Sequence, residues 1–211
     1  MADNYLEKRQ AELAASQKTV IRRNHISLDT LLRRSRSYRG YDPSRQVTAE
    51  ELKSLVAAAT LAPSGMNRQP LRYRLVTADE ASRVLPHITL GAALPEEHLP
   101  KPGTEPQAFL VVCSSVPEDR VVDMDLGFAA QSILLKATEM GLGGLFILNF
   151  RKEAVREALD LPLAPVAIIA IGKPAESIFL LPASSPDASL SYYRKDGVHF
   201  VPKLTPDLLI I

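Results

Sequence analysis

One long apolar period restricts the fold of this chain more than anything else in it. Across residues 121–140, Val122, Leu126, Ala129, Ile133, Ala137 and Met140 recur at helical spacing, and Gly141 follows where a left-handed cap would close the helix. A helix of that length needs a large surface on which to bury its apolar face. Gly127, Ala129, Ala130 and Ala137 keep the helix slender, which suits close packing in the middle of the molecule or across a dimer axis.

Strands are also expected. Residues 72–77 alternate polar and apolar side chains, which predicts a strand, and the unbroken apolar run within 107–114 predicts a buried one. Short strands are expected at about 145–148 and 166–171, with helices over 28–34, from Thr48 to about residue 60, and over 152–159. Ser27 or Asp29 is placed to cap the first of these. Thr48 and Glu51 have capping-box spacing, and that helix has to stop before Pro63. Residues 86–106 hold several prolines with Gly91 and Gly103, the composition of a long surface loop or lid. Because several links between strands and helices are loops rather than regular crossover helices, the order favours α+β over a doubly wound parallel sheet.

The 211 residues are 46% hydrophobic and show no internal repeat, so a single domain over 1–211 is expected. Leu6, Leu13 and Val20 give residues 1–20 only a thin apolar stripe, and residues 1–27 are expected to form a helical N-terminal extension that leans on something else. With 25 Lys plus Arg against 24 Asp plus Glu, the net charge of +1 gives no global pull toward nucleic acid or an anionic membrane. Cys113 is the only cysteine, so there is no internal disulfide, and no Cys/His pattern suggests zinc. No uncharged apolar stretch is long enough to span a membrane and the first eight residues lack a secretory core, so a cytoplasmic protein is expected. His87, His98 and His199 have no second ligand at metal-binding spacing, and no metal is expected; His25 lies in a basic flank. Ser37 and Ser64 lack the elbow and partners of a nucleophile, and no catalytic side chain is assigned.

Two segments have the composition of a binding site. Residues 33–45 contain Arg33, Arg34, Arg36, Arg39 and Arg45 against a single acid, Asp42, with Ser35 and Ser37 among them. Guanidinium groups make paired hydrogen bonds to phosphate oxygens, so the segment suits a phosphate-bearing cofactor; a solvated basic face or a nucleic-acid patch would have the same composition. Residues 62–70 read Ala-Pro-Ser-Gly-Met-Asn-Arg-Gln-Pro between a helix and a strand. Such a loop can bring backbone and side-chain amides up to a ligand, or it can be a Pro/Gly-punctuated connection.

Taken together, these segments resemble a known family. Arg36-Ser37-Tyr38-Arg39-Gly40-Tyr41-Asp42-Pro43 is similar to the Arg-Ser-x-Arg-x-aromatic motif of the nitroreductase-like flavoproteins, and residues 62–70 are similar to their Ala-Pro-Ser-x-x-Asn-x-Gln-Pro loop. Asp125-Leu126-Gly127-Phe128-Ala129-Ala130-Gln131, running on to Gly141-Leu142-Gly143-Gly144, resembles their central helix and glycine turn. Ala170-Ile171-Gly172-Lys173-Pro174 resembles their strand end, and Gly197-Val198-His199-Phe200-Val201-Pro202-Lys203 extends the likeness toward the C-terminus.

The resemblance implies a nitroreductase-like α+β fold: a central mixed, mainly antiparallel sheet flanked by helices, in an intertwined homodimer whose tail, 204–211, embraces the partner. It implies flavin mononucleotide (FMN) as cofactor, NAD(P)H as hydride donor and a small electron-poor acceptor such as a nitroaromatic or quinone, reduced by a ping-pong mechanism. Arg36, Ser37 and Arg39 would hold the phosphate and the pyrimidine side of the flavin. Relatives often begin that motif with two arginines where this chain has Ser35. Pro63, Ser64, Asn67 and Gln69 would line the edge of a flavin bound mainly by the other subunit. Leu145, Phe146 and Ile147 would approach the ring from the opposite side, a backbone amide facing N5; an apolar core strand is the alternative. Lys203 would be a further phosphate donor, although Leu204 stands where relatives often carry a second basic residue. The same fold could instead serve dehalogenation, enone reduction or flavin breakdown, or a non-enzymatic module that binds FMN or nucleic acid.

Overall fold

The structure, a computed structural model, describes residues 8–10 and 26–211. Residues 8–10 are helical and 26–27 are not, Ser27 capping the next helix; residues 1–7 and 11–25 of the expected N-terminal extension lie outside the described residues. Beyond residue 26 the helices are α1 (Leu28–Arg34), α2 (Ala49–Ala59), α3 (Arg120–Glu139) and α4 (Lys152–Ala158). The strands are β1 (Leu71–Val76), β2 (Ala108–Ser114), β3 (Gly143–Ile147), β4 (Pro165–Gly172), β5 (Ser177–Ala183), β6 (Tyr193–Lys195) and β7 (Val198–Leu204).

The long apolar period becomes α3. Its start is set by the Asp119 carboxylate, which accepts from the backbone N–H of Val121 and Val122 at 2.8 Å each, and its end by Gly141 at φ 75°. The capping box of α2 is present, with Thr48 and Glu51 each taking the other's backbone N–H. Both helices pack on one side of a four-stranded sheet ordered β1-β2-β4-β3, in which every neighbouring pair is antiparallel. Leu52, Leu55, Leu126 and Ile133 meet Leu110, Val112, Ile169 and Ile171 there. A second core lies on the opposite side, where Phe109, Val111, Ile168 and Ala170 meet Val155 of α4 and Val84. The apolar runs in β2 and β4 are unbroken because both their faces are covered, and each fully buried aliphatic side chain stabilises the fold by about 1.5–3 kcal/mol.

Two features differ from the expectation. First, β3 starts at Gly143, two residues earlier than its apolar run suggests, because the glycine turn is itself paired with β4. A Cβ on Gly143 would lie 2.5 Å from the Tyr38 ring, and one on Gly144 would lie 2.6 Å from the carbonyl oxygen of Ala170. Second, residues 177–204 form a separate sheet ordered β5-β7-β6, with β5 parallel and β6 antiparallel to β7. The expected loop at 86–106 contains short 3-10 turns, and Leu90 and Leu94 pin it to the body.

The close approach at the glycine turn is testable. Gly144→Ala should destabilise the protein by about 1–3 kcal/mol through overpacking and lower Tm by several degrees in a calorimetric melt. A Tm equal to that of the wild type would contradict the packing described.

Candidate active site

The arginine segment is not a uniform basic face. Arg33 pairs with Asp29 at 2.9 Å and Arg45 pairs with Glu51, while Asp42 is taken by Lys173 at 2.9 Å. A hydrogen bond from Ser44, then that lysine, brings the Asp42 pKa down to about 2. Among the described residues Arg34, Arg36 and Arg39 form no ion pair. Arg36 donates to the Leu32 carbonyl at 2.6 Å at the end of α1, and Arg39 to the Ser37 carbonyl at 3.1 Å. The Nε atoms of both are buried without a hydrogen-bond partner. Buried polar groups normally have partners, so two orphaned guanidinium donors in one short segment suit an anionic ligand. Burial also lowers the Arg36 pKa, a cost that an anion would offset.

The segment is locked to the edge of the sheet. Ser37 bridges Gly144 in parallel, and the Tyr38 N–H donates to the Gly144 carbonyl at 3.1 Å. The Tyr38 hydroxyl donates back to the Arg34 carbonyl, and that of buried Tyr41 to the Tyr38 carbonyl, both at 2.8 Å. Along β3, Leu145 and Ile147 turn into the second core and Phe146 toward the first. The side chain of Ile147 is therefore core. Because backbone groups two residues apart on a strand point the same way, and the Gly144 carbonyl points to the open edge, Phe146 presents its N–H there.

The 62–70 loop sits elsewhere, on the first turns of α3. The Asp125 carboxylate, buried at 4% exposure, accepts from the Ser64 hydroxyl at 2.7 Å and from the Gly65 N–H at 2.8 Å. The Ser64 oxygen in turn accepts the Gln69 N–H at 2.9 Å, and the Gln69 amide donates to the Asn67 side-chain oxygen at 3.0 Å. A Cβ on Gly65 would run into Val121. Met66, Asn67 and Gln69 adopt φ of 53°, 55° and 48°. Left-handed backbone costs a non-glycine residue roughly 1–3 kcal/mol, so three such residues need the Asp125 anchor. A cavity of about 330 Å³ opens beside the loop, lined by Ala59, Pro63, Ser64, Gln69, Tyr73 and Asp125 among others.

The sequence-predicted residues thus fall into two groups and an outlier. Arg36, Ser37 and Arg39 lie beside the glycine turn that follows α3, together with Phe146. Pro63, Ser64, Asn67 and Gln69 gather at the opposite end of the same helix. Twenty residues of α-helix span about 30 Å, so a single chain does not bring the groups together. Lys203 is the outlier, exposed on β7 of the second sheet and hydrogen-bonded to none of the other site residues.

Residues 32–173 match the Nitroreductase family. This chain belongs to the nitroreductase family. A protein of Archaeoglobus fulgidus with the provisional name NADH dehydrogenase/NAD(P)H nitroreductase is 31% identical over 153 residues, which is 67% of this chain and 82% of that one. Among solved structures, a Bacteroides thetaiotaomicron protein of the same provisional name is similar at 25% identity and a TM-score of 0.57, over 70% of this chain and 86% of that one. A Desulfovibrio desulfuricans protein, provisionally named a nitroreductase and solved in complex with FMN, shares the fold at 24% identity and a TM-score of 0.59, over 72% and 88%.

Within the nitroreductase match lie the arginine segment, the 62–70 loop, α3 and the glycine turn; Lys203 and the whole second sheet lie beyond it. Two contributors to the site architecture had been given no role from sequence. Asp125 had a visible signal, a lone carboxylate on the apolar side of the helix. Glu176, which accepts the Gly40 N–H at 3.2 Å and that of Arg39, had none.

Asp125→Ala should leave the partly buried Ser64 hydroxyl and Gly65 N–H without their acceptor, at a cost of about 1 kcal/mol for each lost bond. The loop should then open, so limited proteolysis ought to cut within residues 63–69 faster than in the wild type. Equal cleavage rates would show that Asp125 does not anchor it.

Proposed function

We propose that this chain is an FMN-dependent oxidoreductase that takes hydride from NAD(P)H and passes it to a small electron-poor acceptor, such as a nitroaromatic or quinone, as a homodimer. The observation that carries this reading is the pair of buried guanidinium nitrogens of Arg36 and Arg39, which lack both hydrogen-bond and ion-pair partners beside the open edge of β3. The provisional NAD(P)H nitroreductase name of the Archaeoglobus relative and the FMN complex of the Desulfovibrio fold relative support the same chemistry here.

When bound, FMN supplies the hydride-carrying centre, and the protein supplies position and charge. Arg36 and Ser37 hold the phosphate, with Lys203 as a further donor. Arg39 brings a fixed cation to the pyrimidine edge, where negative charge gathers on reduction. The Phe146 N–H on the open edge of β3 would be the backbone donor offered to the flavin ring. Pro63, Ser64, Asn67 and Gln69 close the site from the partner subunit, which accounts for their place at the far end of α3. No side chain is needed as acid or base, because solvent supplies protons. NAD(P)H and acceptor use one pocket in turn, in a ping-pong sequence, and the enzyme works in the cytoplasm.

The dimer proposal has its own support. Met124 and Phe128, one turn apart on α3, are 49% and 53% exposed, with Gly127 between them facing open space. Leu28 and Leu32 of α1 are exposed as well, and so are Leu209, Ile210 and Ile211 of the tail. Exposed apolar side chains on α1, α3 and the tail suit an interface, and we assign the 204–211 tail to the partner subunit. No described helix is long and apolar enough to cross a membrane.

Purified protein should be yellow and bleach on adding NADH or NADPH. Replacing both Arg36 and Arg39 with Ala should remove charge-assisted hydrogen bonds of about 1.5–3 kcal/mol each and strip the flavin during gel filtration. Colourless wild-type protein that takes up no FMN, or a double variant that keeps FMN as tightly as wild type, would sink the proposal.

A further inference from the structure

The Arg39 end of the site is held by residues that lie beyond the part of the chain matching the family. Oε1 of Glu176 accepts the backbone N–H of Arg39 and, at 3.2 Å, that of Gly40. Its Oε2 accepts from the Arg194 guanidinium, and the two side chains are 8% and 12% exposed. From another direction, the Arg39 guanidinium stands 5.3 Å from the ring centroid of Tyr192, and that ring stacks on His199 at 5.2 Å. Arg194 belongs to β6, His199 to β7, and Tyr192 immediately precedes β6. Backbone and side chain of Arg39 are therefore both gripped by the second sheet and the segment leading into it.

We propose that this sheet is a clamp, and that Glu176 and Tyr192 are positioning residues that set Arg39 for an anionic cofactor. The inference rests on the flavin reading above. The Arg39 side chain has one hydrogen bond of its own, to the neighbouring Ser37 carbonyl, and an orphaned buried Nε, so without Tyr192 little would hold it in one rotamer. A guanidinium resting on an aromatic ring loses rotamer freedom before the ligand arrives, which lowers the cost of binding. A buried carboxylate needs full hydrogen bonding, and Glu176 obtains it from two backbone donors and Arg194. The charges of Glu176 and Arg194 cancel locally, which leaves the charge of Arg39 uncompensated for the ligand. His199, 2% exposed, closes the stack; burial, then the nearby Arg39 and Arg194, hold its pKa below the ordinary value and so favour its neutral form.

The test is a double-mutant cycle on FMN affinity, measured by fluorescence quenching, with Glu176→Ala, Tyr192→Leu, Arg39→Ala and the combined variants. Glu176→Ala and Tyr192→Leu should each raise the dissociation constant about tenfold, equivalent to ~1.4 kcal/mol. Neither should weaken binding further once Arg39 is Ala, because both act through it. Wild-type affinity in both single variants, or losses that add fully to that of Arg39→Ala, would overturn the clamp. If melting curves show Glu176→Ala unfolded, Tyr192→Leu decides alone, since it leaves the buried ion pair intact. Amide hydrogen exchange in the flavin-free protein gives a second readout: Arg39 and Gly40 should exchange faster in Glu176→Ala, and unchanged rates would reject the clamp. A wild type that binds no FMN overturns the flavin reading instead, and the exchange rates then judge the clamp by themselves.

Discussion

The burial of α3 against the four-stranded sheet is the constraint on which the remaining architecture depends. Leu126, Ala129, Ala130, Ile133 and Ala137 are all buried, so the helix is held along its length and its two ends cannot move independently. The 62–70 loop docks on its first turns through Asp125 and Val121, and the glycine turn leaves from its last. The helix thereby acts as a ruler. It separates the arginine segment from the amide-rich loop by about its own length, roughly 30 Å for twenty residues. A second copy packed on the exposed Met124 and Phe128 face would bring opposite ends of two such rulers together.

Both ends are built by bringing backbones unusually close. At the glycine turn, Gly143 and Gly144 admit Tyr38 and the β4 backbone where any side chain would collide. At the loop, three non-glycine residues in left-handed conformation are held by one buried carboxylate. At the loop a tertiary contact overrules local backbone preference, and at the glycine turn close packing excludes any side chain; each gives a ligand a rigid wall rather than a loop that must order on binding.

Much of the main body was legible in the sequence because its signals are local. The apolar period of α3, the capping box at Thr48 and the unbroken run of β2 each follow from neighbouring residues. The second sheet was not, and Pro182 and Pro202 explain why: a proline inside a strand argues against that strand. Pro202 is tolerated because β6 pairs with β7 only as far as Phe200, which leaves the chain beyond it paired on one side. The arginine segment is visible in sequence as a run of guanidinium groups, but sequence could not tell that Arg33 and Arg45 are neutralised by Asp29 and Glu51 while Arg36 and Arg39 are not. Lys203 was reached only by likeness, and its place on the second sheet depends on contacts no spacing reveals. Glu176 was invisible for a related reason, since its partners Arg39 and Gly40 are 137 and 136 residues away.

The central claim is that one flavin site is built from two chains, and subunit mixing tests it most directly. One variant carries Arg36→Ala and Arg39→Ala, the other disables the loop with Ser64→Ala and Asn67→Ala, and each alone should bind little FMN. After exchange at equal concentrations, random pairing makes half the dimers mixed, and each mixed dimer has one undamaged composite site. Flavin content should therefore recover to roughly a quarter of the wild-type level. Recovery to nothing, with mixed dimers demonstrably present, would mean that both segments serve the cofactor within a single chain and would contradict the account.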